Sequence, residues 1–135
     1  MNEAIKKGIA KAIKNEFGEK YKIYDDSVKQ GIEKPCFFIL DKKCTFDRML
    51  GKRAAVTFRY EIELRDEDRE STEAALFRMF GALDMIETEE GKLFGRNMSF
   101  SLEKDKGIFS VDYRCTVMFE EENGKYMEYL ERKDV

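Results

Sequence analysis

A chain of 135 residues, 39% charged and 42% hydrophobic, has the size and composition of one folded domain around one core. Its net charge of -3, from 25 basic and 28 acidic residues, excludes a global field that would draw it to nucleic acid or anionic lipid. The chain holds no histidine, and its three cysteines, at 36, 44 and 115, lack C-x-x-C spacing, which removes the commonest general base, Ser-His triads, most zinc sites and a disulfide framework.

Asn2 to Phe17 reads as a helix. Ile5, Ile9, Ala12, Ile13 and Phe17 recur at helical spacing and form one stripe, with Asn2 as N-cap and Gly18 as stop. Lys7, Lys11 and Lys14 make a basic stripe on another face, either a solvated surface or a contact for nucleic acid or membrane. Glu3, Lys6, Lys7 and Lys11 stand where a signal peptide would need its apolar segment. The longest apolar run, Cys36 to Leu40, is far short of the ~20 residues that span a bilayer, so cytosolic synthesis and reduced thiols are expected.

Tyr21 to Asp25 is a short strand, followed by a polar loop through Gly31. Pro35 then introduces a second strand, Cys36 to Leu40, with Cys36 as a small buried apolar residue. Lys42 to Arg53 reads as a connection. Phe46, Met49 and Leu50 occur in it where surface is expected, so it either folds back on the core or is buried against a partner. With Arg48, they are the most suggestive local feature for an interface.

Ala54 to Arg65 is the clearest element. Val56, Phe58, Tyr60, Ile62 and Leu64 alternate with Thr57, Arg59, Glu61, Glu63 and Arg65, so a strand places all five apolar groups on one side. Asp66 to Ser71 is a polar linker, with Ser71 as N-cap and Glu73 in the first turn of a helix reaching about Ile86. This helix shows Leu76, Phe77, Phe80 and Leu83 to the core. Gly81 inside it costs roughly 1 kcal/mol against alanine, offset by close packing on the sheet. Glu87 to Gly91 closes the element.

Phe94, Met98, Phe100 and Leu102 line the apolar side of the next strand, whose alternation breaks at Gly95 and Arg96, the mark of a bulge. Lys104 to Gly107 supply a turn in which Gly107 takes positive φ. Phe109, Val111, Tyr113, Cys115, Val117 and Phe119 then point inward along the last long strand. Tyr126, Met127, Tyr129 and Leu130 make the tail too apolar for a free end, so residues 124–135 are expected to dock on their own domain or on a neighbour.

This order, without a βαβ series, predicts one α+β domain over residues 1–135: a mostly antiparallel sheet with two helices packed on one face. The outer face carries Thr57, Arg59, Glu61 and Glu63 with Ser110, Asp112, Arg114 and Thr116. It is either a solvated sheet or a surface that meets another subunit through complementary charge. Arg59, Glu61 and Glu63 therefore join Phe46, Arg48, Met49 and Leu50 as candidate interface residues. No pattern defines a catalytic, cofactor or metal site. A small carboxylate enzyme would have to use Glu61, Glu63 or Asp112, whose alternation with Arg59 and Arg114 suits ion pairing better.

The segment Gln30 to Ile39, QGIEKPCFFI, resembles the QG…PCFFI block of the phage tail terminator family of phages and prophages of Gram-positive bacteria. Ala4 to Phe17 is similar to that family's opening helix, and Leu50-Gly51-Lys52-Arg53 with the strand that follows is similar to its GNRY block. Gly91 to Phe100 and Gly107 to Phe119, with Tyr113 in place, resemble its closing hairpin. The long strand departs from the pattern, reading TFRYEIEL where the family more often has a proline-bearing YPFDI, and no aromatic follows Arg53. The resemblance implies a tail-terminator-like fold and a structural protein of the virion tail, made in the host cytoplasm, with no catalytic residue and no cofactor. It further implies a ring, commonly a hexamer, on the last disc of the tail tube, stopping polymerisation and preparing head–tail joining. Its implied partners are copies of itself, the tail-tube protein and head–tail connector proteins, with neither membrane nor nucleic acid. Another neck or head-completion connector is the alternative reading.

Overall fold

Apolar residues three and four apart and apolar residues two apart divide the chain into helices and strands, and the folded molecule follows that division in most places. The computed structural model describes residues 1–25, 33–120 and 125–131, with the backbone alone for 119–120 and 125–131. Helix α1 (Asn2–Phe17) buries Ile5, Ile9, Ile13 and Phe17 and ends at Gly18, whose φ of 76° takes the chain out of the helix. Burying each isoleucine contributes about 1.5–3 kcal/mol. Asn2 is not the cap expected from its position. Met1 holds the N-cap place without a side-chain bond, while the Asn2 amide donates to Asp41 and its oxygen accepts from the Tyr60 hydroxyl.

Strand β1 (Lys22–Tyr24) pairs parallel with β2 (Cys36–Arg48); all other pairings are antiparallel. The loop expected through Gly31 lies mostly outside the described residues. Strand β3 (Arg53–Arg65) runs down the middle; with β4 (Met85–Thr88), β5 (Gly91–Leu102) and β6 (Gly107–Glu120) the sheet order is β1-β2-β3-β6-β5-β4, and β7 (Lys125–Glu131) pairs with β6. Because β3 occupies one side of β6 from Gly107 to Met118, β5 and β7 share the other side, β5 near its start and β7 near its end. The expected docking tail thus pairs by its backbone with its own domain over Lys125–Glu131.

Lys42 to Arg53 is not a connection. Strand β2 continues to Arg48, and only 49–52 turn the chain back, with the Met49 amide donating to the Arg53 carbonyl and Gly51 at φ 77°. A bulge between Asp41 and Lys43 explains why alternation hid this strand. Before it Phe37 and Ile39 face the core; beyond it the parity reverses, so that Cys44 and Phe46 stand beside Phe58 and Val56. A second bulge, between Arg96 and Ser99 in β5 (Gly91–Leu102), holds Asn97 at φ 51°. It follows the expected break at Gly95–Arg96 closely and corrects one assignment: Leu93 is buried, and Phe94 is 38% exposed on the other side.

Helix α2 (Arg69–Ala82) starts three residues earlier and stops four residues sooner than its pattern suggested. Asp68, not Ser71, is the N-cap; its carboxylate accepts from the Ser71 amide at 2.7 Å. Met85–Thr88 forms strand β4 against Gly91–Phe94, since pairing there satisfies backbone groups that a prolonged helix would satisfy only locally. Thr72, Ala75, Leu76, Met79 and Leu83 make the buried stripe, and Phe77, expected in the core, is 62% exposed. Gly81 meets no neighbour within 4 Å, so it does not serve close packing. Gly107, at the start of β6 (Gly107–Glu120), lacks the positive φ expected of it; a Cβ there would fall 2.5 Å from the Leu76 side chain.

One apolar cluster joins α1, α2 and the alternate residues Tyr60, Ile62 and Leu64 of β3 with Phe109, Val111, Tyr113 and Cys115 of β6. The expected inward set of β6 is buried from Phe109 to Val117, with the Phe119 side chain outside the described residues. The protein is α+β with a mostly antiparallel sheet.

Candidate functional site

The longest hairpin of the sheet, β2–β3, exposes its β2 side toward the turn while its β3 side is held against β6. Every residue of β2 from Asp41 to Arg48 except the half-buried Thr45 is exposed, whereas Ala54, Ala55 and Val56 on the return strand are buried. Antiparallel pairing from Arg48↔Ala54 back to Cys36↔Arg65 stiffens this arm. At its tip Leu50 is 97% exposed, Met49 is half-buried, and Phe46 on the shaft is 44% exposed. Arg48, Lys52 and Arg53 flank the turn in the sequence. Four of the sequence candidates, Phe46, Arg48, Met49 and Leu50, are thereby gathered on one hairpin.

The other three lie on the outer face and have partners within the chain. Arg59 makes a two-pronged contact with Asp112, at 2.7 and 3.0 Å, and the Asn97 amide donates to the same carboxylate at 2.9 Å. Burial alone would push the Asp112 carboxyl up, but these hydrogen bonds and the Arg59 charge outweigh it and hold the acid below its ordinary range. The bulge at Asn97 is what aims its amide there, tying β3, β6 and β5 together. Glu61 sits 3.7 Å from Lys42, and Glu63 lies between Lys106 at 3.4 Å and Arg65 at 3.8 Å. Arg65 also spreads its guanidinium over Phe38. Such pairs fix the charge pattern of the outer face.

The lysine stripe of α1 is partly spoken for as well. Lys14 is 3.4 Å from Glu19, and the neighbouring Lys6 is buried between Asp25 and Asp41, at 2.7 and 3.2 Å. Among the described residues, no group of three or more His, Cys, Asp or Glu side chains has metal-binding geometry, and no helix is long and apolar enough to cross a membrane. Cys36 and Cys115 are buried and Cys44 is exposed on the arm; burial pushes the Cys115 thiol up to about 11 and raises that of Cys36.

Sequence reasoning missed one surface altogether. Phe77 projects from α2 with its ring edge-on to Phe100 at 5.0 Å, and Phe80 bridges Phe100 and Phe109 behind it. Glu70 and Glu73 precede Phe77 on the same helix ridge, and all three are exposed. The missed signal was the 72–75–76–79–83 spacing, which leaves position 77 outside the stripe.

Comparison with known families names the kind of protein this is. The family model described as phage tail terminator protein matches residues 4–125. The chain belongs to the phage tail terminator family. It is accordingly a structural protein of phage tails, in line with the resemblance carried by its QGIEKPCFFI segment. No curated protein sequence matches it significantly.

Proposed function

We propose that this protein caps the growing tail tube as an oligomeric ring, a hexamer on the tube, stopping polymerisation and preparing the tail to join its head-side connector. The observation that carries the reading is the β2–β3 hairpin, which places an almost fully exposed Leu50 in the turn beyond the last paired residues of the sheet. A tube end presents unsatisfied interface, and a ring complementary to it on one face removes the template for the next disc. Several modest contacts made at once by a symmetric ring hold firmly. In this reading Phe46, Arg48, Met49 and Leu50 make contacts directly. Arg59, Glu61 and Glu63 contribute through the charge pattern of the outer face.

The test is co-assembly with the tail-tube protein of the same phage, with tube lengths read by electron microscopy. Shorter tubes bearing a density at one end are expected. Replacing Met49 and Leu50 by serine should leave a folded chain that no longer shortens tubes. Tubes of unchanged length with no bound protein would favour another neck or head-completion role.

A further inference from the structure

An acid stands where the fold calls for an apolar side chain. Phe37, Ile39 and Asp41 of β2 lie opposite Leu64, Ile62 and Tyr60 of β3, so Asp41 continues the core side of its strand. The start of α1 supplies its partners. The Asn2 amide donates to one carboxylate oxygen at 2.9 Å, and the buried Lys6 ammonium approaches the other at 3.2 Å. That ammonium also pairs with Asp25 at 2.7 Å, and the Asn2 side-chain oxygen accepts from Tyr60, the residue across the ladder from Asp41. A buried charge of this kind adds little stability over an apolar residue of its size, and its best-attested use is to fix register.

The strand beneath it needs such fixing. Cys36 to Ile39 are all buried, on both faces of the sheet, so the apolar pattern does not say which parity is core. Beyond the bulge the ladder runs Lys43↔Arg59, Cys44↔Phe58, Thr45↔Thr57. Continued straight back, the same register would absorb the extra residue Lys42 and set Phe38 and Leu40 opposite Leu64 and Ile62, apolar against apolar, with no break in the ladder. It would also carry Asp41 to the outer face, opposite Glu61 and away from Asn2 and Lys6. We propose that Asn2 and Lys6 are a register lock: by holding Asp41 on the core side they exclude the unbroken register and place the bulge at Lys42. The lock is independent of ring formation and acts within a single copy. Through it, α1 determines where the β2–β3 hairpin changes phase.

The test reads register with cysteine pairs in the full chain, in a Cys44→Ser background and a glutathione redox buffer; Cys36 and Cys115 are buried. Leu40→Cys and Glu61→Cys stand directly opposite in the bulged register and should bridge. Asn2→Ala with Lys6→Met, added to that pair, should lower the yield of the bridge at least about twofold, and Lys6→Arg should not. Asp41→Cys with Glu61→Cys removes the lock and reports the other register. These two positions lie on opposite faces in the bulged strand and face each other in the unbroken one, so a bridge is expected. A role in stability alone would lower the melting temperature and leave the choice of bridge as it is. An undiminished first bridge in the folded double variant, or no bridge from Asp41→Cys with Glu61→Cys, would overturn the lock. The latter pair decides the matter should the double variant fail to fold.

Discussion

Two glycines show how local surroundings decide what one methyl group does. At Gly81 an added Cβ meets nothing within 4 Å, whereas at Gly95 it would stand 2.5 Å from the Leu83 carbonyl oxygen, a backbone atom that cannot step aside. Gly81→Ala is therefore expected to stabilise the fold by up to about 1 kcal/mol through helix propensity. Gly95→Ala should destabilise it by about 1–3 kcal/mol through overpacking. Denaturant unfolding of the two variants checks both signs. Asp112 adds a dependence on acidity. With its folded pKa below the ordinary carboxylate range, its contribution is complete above an unfolded value near about 3.9 and disappears as pH falls through the folded value. Asp112→Asn should cost about 2 kcal/mol near neutrality, and the gap to the parent chain should close on acidification below about pH 4. A gap unchanged at low pH would mean that Arg59 and Asn97 do not favour the ionised form.

Among the elements, β7 deserves a stability test because it completes the side of β6 that β5 leaves bare from Thr116 onward. A chain ending at Glu122 should melt at lower temperature and aggregate more, since Thr116–Glu120 would then present an open strand edge. Melting at the parent temperature would show that this pairing adds nothing. The elements read correctly from sequence were those whose period ran without interruption, namely α1 by its Ile5-Ile9-Ile13 spacing, β3 by its five alternating apolar residues, and β6. Those misread were interrupted by something no period records. The bulge at Lys42 made the far half of β2 resemble a loop, and β4 resembled the last turn of α2 until its partner Gly91–Phe94 came alongside. The candidate interface was legible in part: Phe46, Met49 and Leu50 announced themselves as apolar residues in polar company. Phe77 did not, because an aromatic within an apolar helix looks like core until the orientation of the helix is known.

At the scale of the molecule, charge is balanced in sum, 25 basic residues against 28 acidic, and the outer face carries it in pairs such as Arg59–Asp112 and Lys106–Glu63. Ring assembly that uses the charged outer face should weaken as ionic strength rises from about 0.1 M to about 1 M, where the screening length shrinks from about 10 Å to about 3 Å. Sedimentation across that range measures it, and insensitivity to salt would place the weight on apolar contact alone. The arm carries one more consequence of the way it joins the sheet. Its single extra residue at Lys42 shifts the phase of β2 alone, while β3 keeps one phase along its unbroken pairing with β6. One insertion or deletion in β2 near this point can therefore trade the outward residues of Lys43–Arg48 while β3, held by β6, stays in register, so that the surface on that strand changes in jumps and the core beneath it does not.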